Sequence, residues 1–489
     1  MTGTSIETQK KGGKIFAMNH KDPSTWKRTS SQYGYYKLEN KEVLGYSSID
    51  FAMNLVFQCI ALYISYFYTD IFGLKPGHVA IIFAVSRIWD AINDPMMGTI
   101  CERLQPKKGK YWIYIRWGAI PFGLAAVMTY TTPNLSYTMK VVWALVGYNL
   151  LNMLYTFIIQ PYISAATLMT NDQSERTRLQ STRMTLAQAG GVVCAVMLPE
   201  LSNFFSEGMG MTLAQGYMVT TIIMAVIMVS ILLWGSSQIV ERIPAPPIDP
   251  NNKASIKDVF YLLFRIGPVF VTFILFLGVY TMSQVQSTMG AYYINYYANR
   301  GDMLSWFSMI MMLFSVIGVP CVPFLMKKLH KKGTVMFGLA VAGLGCLMLY
   351  FMPTTAITGM MISRAITGYG YGLLMGSLWS VITDPVEYAD WKTGKRYTAI
   401  VMTLVGLGIK FSMVIGGSVP TAVLEATGYV ANQAQNAATL SAIRIMTTLL
   451  PLAAVILAMV VYGLFYHLNE EKIRQIQADI AERNAARQA

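Results

Sequence analysis

Residues 236–257 read S-S-Q-I-V-E-R-I-P-A-P-P-I-D-P-N-N-K-A-S-I-K. This is the longest internal polar stretch of the chain. Its four prolines, Pro244, Pro246, Pro247 and Pro250, forbid one continuous helix through it. Upstream lie apolar segments at about 46–69, 77–100, 111–131, 138–168, 183–206 and 214–235. Downstream lie six more, at about 267–297, 303–326, 333–353, 356–383, 397–426 and 439–467. Each is near the length of about 20 residues that a bilayer-spanning helix needs. The expected fold is an all-α membrane protein with twelve transmembrane helices in two six-helix halves. The division follows: an N-terminal tail 1–45, a half 46–235, the linker 236–257, a half 258–467 and a C-terminal tail 468–489.

Composition agrees. Of 489 residues, 54% are hydrophobic and 13% charged, about half the charged share of a soluble protein. Mean hydropathy is +0.43. Twelve spans use roughly 240 residues, which leaves loops and tails but no large soluble domain. The five cysteines, Cys59, Cys101, Cys194, Cys321 and Cys346, show no C-x-x-C spacing and read as small hydrophobes. The four histidines are too dispersed for a metal cluster. No nucleophile–base set or phosphate loop is visible, and no enzyme or cofactor is expected.

The net charge of +13 raises nucleic acid as a partner, but its distribution points to the lipid bilayer. The two tails and the loops after the even-numbered segments hold 30 Lys and Arg, among them Arg103, Lys107, Lys108, Lys110, Lys327, Lys328, Lys331 and Lys332. The opposite loops hold three: Lys75, Lys140 and Arg300. By the positive-inside rule both termini are cytoplasmic, in the cell (inner) membrane. Two six-helix halves on a cytoplasmic linker suggest the major facilitator architecture, with substrate bound near the midplane between halves.

A charge at the bilayer centre costs at least ~2.5 kcal/mol, so each one there needs a reason. The second segment carries S-R-I-W-D-A-I-N-D-P-M-M-G over 86–98. Asp90 and Asp94 are four apart and share one helical face, ~5–6 Å between Cβ atoms. Both cannot stay ionised there without a counter-charge. A shared proton, a bound monovalent cation, or pairing with a base such as Arg87 would each satisfy them. Pro95 removes a backbone donor and frees a carbonyl one turn back, beside Asp90 and Ala91. Lys410, midway along 397–426, has no carboxylate nearby in its own helix; Asp90 or Asp94 across the bundle would serve. Asp50 and Asn54 share a face of the first segment. With Tyr155, Thr156 and Arg183 they can line a polar cavity suited to sugar hydroxyls. The run Tyr292, Tyr293, Tyr296, Tyr297 reads as interfacial belt or helix packing. Arg364 is a further buried base, with no role assigned from sequence.

The segment R-I-W-D-A-I-N-D-P-M-M-G resembles the cation-site segment of the glycoside–pentoside–hexuronide:cation symporters, most closely the melibiose permeases. I-D-F-A-M-N-L and Y-F-Y-T-D-I-F-G-L in the first segment match too, as do K-K-G-K-Y-W, Y-T-F-I-I-Q-P-Y, S-T-R-M-T-L-A-Q-A-G, D-P-V-E-Y-A-D-W-K-T-G-K-R and Y-H-L-N-E-E-K-I-R-Q-I. The resemblance covers about 40–480. It implies a cation site at Asp90, Asp94 and Thr156, with the two aspartates as metal ligands if the ion is Na+. It implies a coupling role for Lys410, and sugar contacts at Asp50 and Arg183. Where the melibiose permeases place a sugar-binding aspartate and a tryptophan in the fourth segment, this chain has Ile159 and Ile163. Gln160 is the candidate substitute. The tenth-segment tryptophan aligns with Met375, with Trp379 one turn on. The implied function is symport of a glycoside, oligosaccharide or related sugar with Na+ or H+. A lysolipid-type symporter and a non-transporting sugar sensor are the alternatives. Cysteine labels placed around Lys328 are expected to react only from the cytoplasmic side; labelling from outside intact cells would reverse the orientation.

Overall fold

The computed structural model describes residue 27 and residues 36–103, 111–170, 172–243, 256–394, 397–468 and 470–488. Most of the N-terminal tail, the prolines of the linker and the Lys107, Lys108 and Lys110 loop lie outside them.

The described chain folds into helices. The twelve that form the bundle are, in order, α1 (Asn40–Tyr66), α2 (Pro76–Arg103), α3 (Trp112–Thr129), α4 (Tyr137–Met169), α5 (Gln173–Asn203), α6 (Leu213–Gln238), α7 (Gly267–Tyr292), α8 (304–329), α9 (331–351), α10 (Ile357–Val381), α11 (Thr398–Ala426) and α12 (Ala437–Phe465); helices at Ile256–Arg265, Thr383–Thr393 and Glu470–Gln488 lie outside the bundle set. α8 and α9 form one stretch, Leu304–Phe351, broken where His330 takes φ 57° and ψ 177°. Among the described residues, eight helical stretches are long and apolar enough to cross a membrane, with α8–α9 as one of them; α2, α3 and α10 do not stand out as apolar spans. α2 carries Arg87, Asp90 and Asp94, α3 carries Arg116, and α10 carries Arg364 among glycines. Polar function and close packing dilute their hydropathy, not their helicity. Local signals set several starts. Thr212 and Gln215 form a reciprocal capping box before α6. Asn436 accepts from Thr439 N at 2.7 Å to cap α12.

Within the first half α1 packs on α5 and α6, α3 on α4 and α6, and α2 on α4. Within the second, α7 packs on α11 and α12, and α10 on the α8–α9 stretch. Across the halves, α2 meets α11, α5 meets the α8–α9 stretch, and α1 meets α7. Helix 2 of the first half thus faces helix 5 of the second, and helix 5 of the first faces the stretch holding helix 2 of the second. That exchange is the signature of two repeats about a pseudo-two-fold axis.

Glycines let α10 approach its neighbours. A Cβ on Gly368 or Gly372 would collide with the carbonyls of Met311 and Ser315 on α8, and one on Gly370 with Ala342 on α9. Such small-residue contacts replace the missing hydrophobic drive between helices in lipid.

The halves are also tied at the end opposite the termini, where α1 and α7 finish. Both end in a π-helical turn, Phe67–Ile71 and Tyr293–Tyr297. Asp70 accepts from Tyr429 Oη at 2.7 and 2.8 Å, and from Tyr296. Tyr292 Oη lies 2.8 Å from Thr69 Oγ1 and 3.0 Å from Ser65 Oγ. Asn432 Nδ2 donates to Asp70 O at 2.6 Å. Tyr292 and Tyr293 are fully buried. Part of the tyrosine run therefore seals the halves together and is not a lipid-facing belt. At the other face, Lys331 pairs with Asp384 at 2.7 Å and Lys332 donates to Gly463 O and Tyr466 O, so two of the four basic residues of that loop also tie the structure.

Gly372→Leu is expected to push α10 off α8 and to cost ~1–3 kcal/mol or more by overpacking. Gly406→Ala, where a Cβ meets nothing within 4 Å, serves as the control. Thermal unfolding of both purified variants checks this: Tm falls for the first and holds for the second.

Candidate functional site

At the midplane the α2–α11 contact carries charge. Arg87, Asp90 and Asp94 fall on one face of α2. Arg87 Nη1 pairs with Asp90 Oδ2 at 2.8 Å, and its Nη2 donates to Tyr148 Oη on α4 at 2.6 Å. Arg87 also reaches Met413 Sδ on α11 at 3.5 Å. Lys410, one turn before Met413, pairs with Asp94 Oδ2 at 2.8 Å and donates to Asp90 O at 3.3 Å. Thr156 Oγ1 on α4 donates to Asp94 Oδ1 at 3.0 Å. Of the ways open from sequence, the helix 2 aspartates here take pairing with bases, each its own. Lys410 finds its carboxylate across the bundle, on Asp94. The carbonyl it uses, that of Asp90, is in the turn before Pro95; the Pro95 side chain lies outside those described.

The two pairs differ in exposure. Arg87 and Asp90 side chains are 13% and 10% exposed, Lys410 and Asp94 both 28%. Asp90 Oδ1 is buried with no hydrogen-bond partner among the described residues. This orphan oxygen, the Asp94 carboxylate and Thr156 Oγ1 are hard donors of the kind a monovalent cation takes. The donor set fits such an ion as cargo, and Lys410 now pairs with one of its oxygens, Asp94 Oδ2.

The second polar group lies on α1 and α5. Arg183 Nε sits 3.3 Å from Asp50 Oδ2. Its guanidinium lies 5.8 Å from the Tyr162 ring, which stacks on Tyr46 at 4.4 Å. Asn54 Nδ2 donates to Asp50 Oδ1 at 3.1 Å, and Gln58 Nε2 donates to Asn54 Oδ1 at 3.3 Å. Tyr155 stacks on Phe57 of α1 at 4.9 Å. Among the described residues Gln160 makes no side-chain hydrogen bond to either group. Trp379 is half exposed and packs edge-on against Phe276 of α7 at 5.9 Å, away from both groups.

The polar ladder along α1 ends at a cavity between the halves. It has a volume of about 80 Å³. Its lining includes Gln58, Gln188, Ser283, Ser308, Ser315 and Arg364. Sequence reasoning passed over most of these. Their signal was faint: Ser283 and Ser287 four apart in α7, and Gln58 four beyond Asn54 in α1. Tyr148, the partner of Arg87, was missed because its contact is made only across helices.

Comparison with known proteins agrees with this architecture. The family model for "MFS/sugar transport protein" matches residues 45–470. The chain is 33% identical to the uncharacterized symporter YnaJ of Bacillus subtilis (strain 168), over 92% of this chain and 96% of that one. It is 31% identical to the isoprimeverose transporter of Lactiplantibacillus pentosus, over 92% of each. The crystal structure of nucleoside transporter NupG superposes with a TM-score of 0.60 at 12% identity, covering 88% of this chain and all of that one, a likeness of fold. With twelve helices in two pseudo-symmetric halves and a polar site between them, the chain belongs to the MFS/sugar transport protein family of multi-pass membrane transporters.

Proposed function

We propose that the protein imports a glycoside, oligosaccharide or related sugar together with Na+ or H+, by alternating access of the two halves. The observation that carries this reading is the reach of Lys410 from the second half to Asp94 and the Asp90 carbonyl of the first. A cation or proton arriving at Asp90 and Asp94 competes with the ammonium for the same oxygens. Its occupancy therefore alters the attraction between the halves at the midplane. Thr156, which donates to Asp94, adjoins Tyr155 in α4, and Tyr155 stacks on Phe57 of α1, so the two polar groups are built on neighbouring helices. The coupling is reciprocal: sugar tightens cation binding by the factor by which cation tightens sugar binding. The Asp70–Tyr296–Tyr429 cluster then serves as the closed gate on the side away from the termini.

The hydroxyl and amide lining of the inter-half cavity supports a sugar over a lysolipid, whose acyl chain would leave those groups unpaired. The isoprimeverose transporter among the relatives supports the same class.

Uptake into proteoliposomes under imposed Na+ or H+ gradients tests the reading. Asp94→Asn is expected to lose gradient-driven accumulation while keeping sugar exchange; accumulation like the parent's would remove the cation site from α2. The two ion pairs also predict different stabilities. Arg87→Met leaves buried Asp90 alone and is expected to cost ~3–5 kcal/mol. Lys410→Met leaves Asp94 with Thr156 and partial solvent access, so its loss is smaller. In detergent, Tm should fall further for Arg87→Met, and Lys410→Met should stay folded with its cation dependence altered.

A further inference from the structure

A cavity of about 690 Å³ lies at the end of the second half that carries the C-terminal helix. It falls within the ~300–1,000 Å³ that small-molecule sites occupy. Four pieces of chain wall it: the turn between α8 and α9, the Thr383–Thr393 helix, residues 466–468 after α12, and the start of the Glu470–Gln488 helix. None belongs to the first half, so this space is not on a route between the halves. By the positive-inside count its end of the bundle is the cytoplasmic one.

Basic groups outnumber acidic ones on the wall. Lys331, Lys332 and Arg474 are set against Asp384 and Glu471, with His330 and His467 beside them. Asp384 is engaged locally: Oδ1 takes Lys331 Nζ at 2.7 Å and Oδ2 accepts from Tyr466 Oη at 2.5 Å. Lys332 has only neutral partners among the described residues, the carbonyls of Gly463 and Tyr466, at 2.9 and 2.8 Å. Arg474 is exposed and makes no side-chain hydrogen bond or ion pair among the described residues. The two lysines start α9 at the cavity because His330 breaks the helix before them. Its φ of 57° and ψ of 177° are a combination ordinarily confined to glycine, and such outliers gather at binding sites.

We propose that this cavity binds a phosphate ester, with Lys332 and Arg474 as counter-charges to the phosphate and with Tyr466, Leu468 and Ile473 against the organic part. The arginine fork matches phosphate oxygens in pairs, and the lysine adds a point charge beside it. The volume exceeds what a bare anion fills, and the three apolar and aromatic side chains give the remainder a surface to cover. A soluble cytoplasmic ester and an anionic lipid headgroup present the same oxygens. Bound, either one ties the C-terminal helix to the α8–α9 turn. The site stands apart from the sugar and cation groups and does not depend on their assignment.

The test titrates two matched pairs into the full-length protein in detergent: AMP with adenosine, and dioctanoyl phosphatidic acid with dioctanoylglycerol. For at least one pair the phosphate member is expected to bind about tenfold or more tighter, equivalent to ~1.4 kcal/mol. Arg474→Gln should weaken that binding by about threefold, the scale of one exposed charge pair, and Glu471→Gln should strengthen it by a similar factor. Both side chains are exposed, so Tm without ligand should hold in both variants. Lys75→Gln, which removes an exposed charge at the opposite end, should leave the affinity as it was. Preference in the AMP pair alone assigns a soluble ester, and preference in the lipid pair alone assigns a headgroup; each supports the site. No preference in either pair overturns it. So do affinities equal in wild type, Arg474→Gln and Glu471→Gln, which place the phosphate elsewhere, and a loss in Lys75→Gln equal to that in Arg474→Gln, which reduces the effect to net charge. If one of the two pocket variants fails to fold, the other decides by the same criterion.

Discussion

An ammonium group on one half of the molecule completes the charge balance of the other. Lys410 leaves α11 and meets Asp94 and the Asp90 carbonyl on α2. In water such a contact is worth little, because solvent screens it and competes for it. Between helices at the midplane the competing solvent is scarce, and each charge must be answered by another or by a fixed dipole. The contact joins the two halves through the aspartate pair. Arg87 does the opposite job: it answers Asp90 from within α2 and is itself held by Tyr148, so that part of the site stays with the first half.

The rest of the architecture gives this link something to act on. The halves touch through α2–α11, α5 with the α8–α9 stretch, and α1–α7, a paired arrangement that can rock about its centre. At the end away from the termini, the π-helical ends of α1 and α7 bring Asp70, Tyr292 and Tyr296 into one hydrogen-bonded cluster with Tyr429. Within the second half, the glycines of α10 bind it against α8 and α9 so closely that no side chain fits between. Rigid halves with breakable polar contacts between them are what a two-state transporter requires.

Charge placement inside the bundle is uneven. The α1–α5 pair and the two α2 pairs are each neutral, whereas Arg364 stands beside the inter-half cavity with neutral partners alone.

The helix count was legible from sequence, because a bilayer demands runs of apolar residues whatever the surrounding fold, and its penalty on charge singled out Asp90, Asp94 and Lys410 as side chains that need partners. Asp50 and Asn54 were legible as one face of a helix, by spacing alone. Which base answers which carboxylate was not. Arg87 and Lys410 were both eligible for Asp90, and the choice depends on helix rotation and on Tyr148 standing behind Arg87. Gln160 and Trp379 looked suitable by position along their helices, yet among the described residues the first has no side-chain hydrogen bond to the site, and the second packs against Phe276. The tyrosines at 292–297 read as belt or helix packing, and the choice between the two was open because composition carries no information on which neighbour a ring will meet. Local chemistry determined which residues cannot face lipid. Tertiary structure decided which of them face one another, because pairing across helices depends on distances between segments hundreds of residues apart, such as the 320 between Asp90 and Lys410.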